Sequence, residues 1–127
     1  VKRSGILNAD LNAAISRLGH GDIVLVADCG MPAPVGVTVI DLALVHGVPR
    51  FEQVLDALLG ELVVERCVAA EEAKGTVADD WLSARFTDIE YIGHGDLKQL
   101  SGSARVFVRT GEATAFANAA LVCGVPF

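Results

Sequence analysis

Positive charge is in short supply. Ten Lys and Arg stand against 16 Asp and Glu, a net charge of -6. An acidic chain repels phosphate backbones, which argues against a nucleic-acid partner. Aromatic residues are sparse as well, with five Phe, one Trp and one Tyr, too few and too scattered for a base-stacking platform. No apolar run approaches the ~18 residues that a membrane span needs. Asn8, Asp10 and Asn12 interrupt the stretch after Lys2 and Arg3 that could otherwise serve as a signal-peptide core. The three cysteines, Cys29, Cys67 and Cys123, are odd in number and form no CxxC, so neither a disulfide framework nor a zinc site is expected. They lie in or beside apolar stretches and read as small buried hydrophobes of a reducing compartment. GxGxxG, Walker and HExxH patterns are missing too. The expectation is a soluble, cytosolic protein that needs no metal.

Apolar residues are what the chain has in excess. They make up 52% of its 127 residues before the 13 glycines are added, against about 45–50% with glycine in an average domain. Such a surplus suggests strands buried on both faces, a large subunit interface, or both. The length suits one domain, 1–127, with no linker or repeat to divide it.

Helix-period and strand-like segments alternate, which predicts an α/β fold: a three-layer domain with a central, mostly parallel buried sheet flanked by helices. Asn8 is a candidate N-cap for a helix whose stripe is Leu11, Ala14, Ile15 and Leu18, with Gly19 as its C′ stop. Ile23 to Ala27 is a buried-strand run, and the breakers of 28–34 make a loop after it. Residues 37–45 read as extended, with a helical turn at Leu42-Ala43-Leu44 as the alternative. Pro49 suits the first turn of a helix bearing Phe51, Val54, Leu55, Leu58 and Leu59. Strands are expected over 62–68, 89–92, 105–109 and 119–122, and helices over 76–85 and 96–100. The apolar end, Val125-Pro126-Phe127, is expected to be packed, on its own chain or a neighbour.

Among the histidines, His20 stands apart because glycines flank it in Gly19-His20-Gly21-Asp22. Glycine permits a tight turn and lets a ligand approach the backbone. Imidazole is the usual group for proton transfer near neutral pH. The plainer reading is a polar turn residue that caps the helix end. His94 repeats the wording in Gly93-His94-Gly95-Asp96. Asp28 ends a buried strand, the edge at which open α/β sheets collect ligands. An Asx turn is at least as good an account of that position. Residues 109–118 form a polar loop between two strands, a weak signal by itself. Lys98 reads as a solvated helix residue, and Glu71-Glu72 as an exposed acidic pair at a helix start. These groups suit proton shuffling on a small polyhydroxylated or carbonyl ligand without identifying it.

Several short stretches, in order and at matching spacing, carry a resemblance that covers nearly the whole chain. They are Gly5-Ile6-Leu7-Asn8 with Ile15-Ser16-Arg17-Leu18-Gly19-His20, and Val26-Ala27-Asp28-Cys29-Gly30-Met31-Pro32. Next come Ile40-Asp41-Leu42-Ala43-Leu44 with Gly47-Val48-Pro49-Arg50-Phe51, and Ala70-Glu71-Glu72. Arg109-Thr110-Gly111-Glu112 through Ala117-Asn118 to Cys123-Gly124-Val125-Pro126-Phe127 completes the set. In these the chain resembles the D-ribose pyranase (ribose mutarotase) family, which is homologous to the L-fucose mutarotases. The resemblance implies a cytoplasmic, cofactor-free isomerase that interconverts the pyranose and furanose forms of β-D-ribose ahead of ribokinase. It also implies a decamer of two stacked pentameric rings with sites between subunits. By position it implies His20 as the catalytic proton donor, with Asp28, His94 and the stretch Phe116, Ala117 and Asn118 as sugar-binding residues. Asp28 and Asn118 would hold hydroxyls, while His94 would position the sugar or assist transfer.

Two departures from the family pattern stand out. Phe116 replaces its usual Tyr, which removes a donor and acceptor but leaves a ring able to stack on a sugar. The stretch between Lys74 and Ile89 is shorter than usual, which predicts a trimmed helix rather than a lost site. L-fucose mutarotase and a catalytically silent sugar-binding accessory protein are the competing readings. Cys29-Gly30-Met31-Pro32 favours the ribose branch over the first, and Phe116 is the one feature favouring the second.

His20 and Asp28 flank a single strand. Eight extended steps at ~3.3 Å reach up to ~26 Å, more than one sugar spans. Either the turn at 19–22 folds back, or the two residues that meet one sugar come from different chains. The second is the expectation.

Overall fold

The computed structural model describes residues 1–127. Six strands form one sheet in the order β2-β5-β1-β6-β3-β4. They are β1 (Ile23–Ala27), β2 (Thr38–Asp41), β3 (Val64–Ala70), β4 (Ile89–Ile92), β5 (Val106–Arg109) and β6 (Ala119–Cys123). Five strands run the same way and β6 runs against them, between β1 and β3. The helices are α1 (Ala9–Ile15), α2 (Phe51–Leu59), α3 (Val77–Ser83) and α4 (His94–Ser101), with a 3-10 turn over Glu71–Ala73.

Side chains alternate across the sheet and build two cores, as the period of a strand requires. Val24, Val26, Val106, Val108, Ala119 and Leu121 face α1, α2 and α3, and meet Leu11, Ile15, Phe51, Leu55, Leu58 and Leu82. Leu25, Ala27, Phe107, Ala120 and Val68 face the other way, onto Leu97 of α4, Met31 and Ala104. The expected three-layer, mostly parallel arrangement is therefore the observed one.

β1 and β4 coincide with their expected bounds, and α2 has the expected buried face of Phe51, Val54, Leu55 and Leu58. Asn8 caps α1 by accepting the Leu11 N–H at 2.8 Å. Other expectations need correction. α1 ends at Ile15, and the positive φ that follows belongs to Gly21 rather than to Gly19. Only 38–41 of the extended stretch 37–45 pairs as a strand, because β5 offers it just four partners. Pro49 precedes α2 rather than sitting in its first turn: Arg50 is the N-cap, and its N–H bonds the Gln53 side chain. α4 begins at His94, two residues early. At the apolar end of the chain Val125 is partly covered, while Phe127 is fully exposed within this chain.

The path from β5 to β6 decides where the chemistry sits. Because β6 is antiparallel, it starts beside the carboxyl end of β1, with Val26 opposite Ala119. The connection 110–118 therefore crosses over that edge, above Asp28.

Candidate functional site

Three carboxyl-edge elements meet in a cavity of about 230 Å³ lined by Asp28, Gly30, Met31, His94, Lys98 and Phe116 among others. That is somewhat below the about 300–1,000 Å³ of drug-sized sites and suits a smaller ligand. A larger open groove of about 660 Å³ lies between α1 and the edge strand β2, and holds none of the candidate residues.

Asp28 follows β1 directly and is half-buried. One of its carboxylate oxygens accepts the Gly30 N–H at 2.9 Å, so the Asx turn is present. The other accepts from the Asn118 side-chain amide at 2.9 Å. The turn and the cavity wall are thus one feature. His94 opens α4, and its N–H is held by both oxygens of Glu72 at 3.1 and 3.0 Å. The His94 ring meets the Phe116 ring edge to face, with centroids 5.2 Å apart, and buries its Nδ1 without a protein partner. That leaves one polar atom of the ring buried without a hydrogen-bond partner, the exception among buried polar groups. Phe116 has φ 62, the left-handed region that bulky residues avoid. Such conformations cost energy and cluster at active sites and ligand clamps.

The loop carrying Phe116 is tied from beneath. Thr110 donates its hydroxyl to the Ala27 carbonyl at 2.8 Å, and the Cys29 N–H bonds the Glu112 carbonyl at 2.9 Å. The buried Glu112 carboxylate accepts the Phe51 N–H at the start of α2 (3.0 Å) and the Thr114 hydroxyl (2.9 Å). Beside the loop, Arg109 pairs with Asp41, which holds the Asp41 carboxyl below its usual range and the guanidinium above its own.

Of the six candidates, Asp28, His94 and Phe116 come together. Ala117 is buried with its methyl in the core, so any part it takes falls to its main chain. Asn118 is fully buried against Asp28. His20 is elsewhere. The Gly21 N–H bonds the Cys123 carbonyl and the Cys123 N–H bonds Asp22, so the β1–β6 ladder continues straight down to the turn. Seven extended steps from residue 21 to 28 cover roughly 23 Å at ~3.3 Å each. The turn does not fold back. At that far end His20 is exposed, and its Nε2 lies 3.0 Å from the Glu65 carboxylate of β3.

Three residues near these groups escaped the sequence reading as functional. Lys98 lines the cavity, one helical turn from His94. The i,i+4 spacing would have shown this had α4 been started at His94. Glu72 and Glu65 reach their histidines across 22 and 45 residues of sequence, which no local pattern reveals. No group of three or more His, Cys, Asp or Glu side chains is gathered to hold a metal. No helix is long and apolar enough to cross a membrane.

The family model described as the RbsD / FucU transport protein family matches residues 1–126. The chain belongs to this family. It is 52% identical over 129 residues to the D-ribose pyranase of Streptomyces avermitilis, with 100% of both chains covered. Among solved structures, Bacillus subtilis RbsD complexed with D-ribose superposes with a TM-score of 0.95 at 40% identity, again over 100% of each chain. The fucose mutarotase of Streptococcus pneumoniae in complex with L-fucose, 22% identical over 100% of each chain, shares the fold with a TM-score of 0.80.

Proposed function

We propose that this protein is an isomerase of the D-ribose pyranase type, interconverting the pyranose and furanose forms of β-D-ribose. The observation that carries this is full-length similarity, at 52% and 40% identity, to a D-ribose pyranase and to an RbsD complexed with D-ribose. The cavity holding Asp28, His94 and Phe116 supports it. Ribose is preferred over fucose because the fucose-binding relative is only 22% identical.

The reaction is one bond break and one bond formation, each with a proton added at one oxygen and a proton lost from another. A proton is added to the ring oxygen and another leaves the anomeric hydroxyl. The bond between the anomeric carbon and the ring oxygen breaks to give the open-chain aldehyde. The hydroxyl on the fourth carbon then adds to the aldehyde carbon, losing its proton as the carbonyl oxygen gains one. Groups that titrate near neutral pH serve both directions. In this reading His20 donates the first proton. Asp28 holds hydroxyls, His94 positions the sugar, and the Phe116 ring covers its apolar face.

His20 and Asp28 are too far apart to meet one sugar on one chain. The site is therefore read as shared, with His20 supplied by a neighbouring copy in a closed head-to-tail ring. Exposed Val63, Val125 and Phe127 near the His20 end, and exposed Leu44, Val45 and Val48 near the Asp28 end, support burial between copies. A decamer of two pentameric rings, working in the cytoplasm without a cofactor and supplying a ribose kinase, is the assembly and setting proposed. Saturation-transfer NMR on equilibrated ribose tests the activity. The protein is expected to speed pyranose–furanose exchange, and His20→Ala to abolish the acceleration. Wild-type exchange in His20→Ala removes His20 from the mechanism, and no acceleration by the unmodified protein removes the function.

A further inference from the structure

We infer that Asn118 is a positioning residue: it fixes the Asp28 carboxylate for the sugar and makes no sugar contact with its own side chain. The inference rests on the ribose reading and assigns Asn118 a different task from holding hydroxyls. Both polar ends of the Asn118 side chain bond Asp28, and burial closes what hydrogen-bonding capacity they have left to a ligand. Its Oδ1 accepts the Asp28 N–H at 2.8 Å, and its Nδ2 donates to Asp28 Oδ2 at 2.9 Å. Asn118 is 0% exposed, whereas Asp28 lines the cavity. Two hydrogen bonds between the same two residues close a ring that clamps backbone and carboxylate together. With the Gly30 N–H on the other oxygen, each Asp28 oxygen keeps one internal partner and further lone pairs for a ligand. Val26 and Ala119 are paired across β1 and β6, so the clamp sits where two neighbouring strands leave the sheet.

The clamp needs an acceptor and a donor on one short planar group. A carboxyl at position 118 supplies both only while it is protonated. Once ionised it still accepts the Asp28 N–H, but it sets two negative oxygens within hydrogen-bond distance. Asn118→Asp is therefore a pH-dependent clamp. A direct sugar contact would behave otherwise, since an ionised carboxylate is a good acceptor for sugar hydroxyls. The charged groups nearby are His94 and Lys98 at the cavity, Arg109 at the end of β5 and the buried Glu112 on the crossing loop. All four are shared with the unmodified protein, so the quantity to read is the ratio of variant to wild type at each pH.

The experiment measures the Kd for D-ribose by calorimetry from pH 5 to pH 8 for wild type, Asn118→Asp and Asn118→Ala. Amide hydrogen exchange at Asp28 is followed in the same samples. The Asn118→Asp ratio is expected to be within a few-fold of one at pH 5 and to rise about tenfold or more by pH 8, the size expected for losing a hydrogen bond to a charged group. Asn118→Ala is expected to bind weakly across the range. The Asp28 amide should stay protected in Asn118→Asp, whose carboxyl accepts it at every pH, and lose protection in Asn118→Ala, which offers it no acceptor. A ratio that stays flat with pH, or Asp28 protection unchanged in Asn118→Ala, overturns the inference. Absence of ribose binding by the wild type overturns the ribose reading instead, and the Asp28 exchange pattern still decides the clamp. If Asn118→Asp unfolds at high pH, side-chain NMR of the wild type decides. Ribose should shift the Asp28 carboxyl carbon and leave the Asn118 amide protons in place, and the reverse pattern refutes the assignment.

Discussion

Gly111 has no room for a side chain. A Cβ there would sit 2.5 Å from the carbonyl carbon of Val48 and 2.7 Å from the Val45 oxygen. These are backbone atoms, held by the bond from the Gly47 N–H to the Gly111 carbonyl, and they cannot swing aside. Gly111→Ala is expected to destabilise the protein by about 3 kcal/mol in urea unfolding and to weaken ribose binding, because the same loop carries Phe116. The cysteines differ by burial in a testable way. Burial pushes the Cys67 thiol up to about 12, and burial likewise raises Cys123, whereas Cys29 is partly exposed. At pH 8 a maleimide should modify Cys29 first and reach the other two only on unfolding. The raised Cys67 also sets a sign. The unfolded thiol ionises near 9 while the folded one stays neutral to about 12, so its contribution is complete below pH 9 and declines as pH rises from there. The loss of stability between pH 8 and pH 10 should be smaller in Cys67→Ala than in wild type, measured by urea midpoints.

α2 and the crossing loop are coupled through one buried carboxylate. Glu112 accepts the N–H of Phe51 in the first turn of α2, where unpaired amides and the helix dipole favour negative charge. Glu112→Ala leaves that buried N–H without a partner and is expected to cost about 2 kcal/mol. If the coupling is as described, the loss appears both in the urea midpoint and as faster amide exchange at Phe51 and along 110–118. α2 itself was legible from the spacing of Phe51, Val54, Leu55 and Leu58. The start of α4 was not. Gly93 is a weak cap, and the acceptor that holds the His94 N–H is Glu72, which belongs to the turn after β3.

For the molecule as a whole, the decisive measurement is complementation. His20→Ala and Asp28→Ala are each expected to be inactive alone. When a shared site is built from neighbouring copies, a refolded equal mixture restores sites that combine His20 from one variant with Asp28 from the other. Random assembly gives about a quarter of the wild-type activity. No recovery in mixed oligomers that sediment normally would mean that each chain works by itself. Phe116→Ala tests the other side of the cavity. The ring is half-exposed, so the thermal midpoint should change little while ribose affinity falls.

Much of this protein could be read from the chain alone, for a physical reason. β1, the buried face of α2 and the α1 cap depend on neighbours within a few residues, where periodicity and capping chemistry act. Short motifs at fixed spacing named the family and singled out His20, Asp28 and His94. Only the tertiary structure decided which of them meet. The antiparallel entry of β6 brings Asn118 beside Asp28 across 90 residues, and β3 with its following turn delivers Glu65 and Glu72 to two different histidines. The straight run of β1 keeps His20 at the opposite end of the sheet from Asp28. Those pairings are set by strand order and register, which depend on the whole core packing at once and leave no local mark on the sequence.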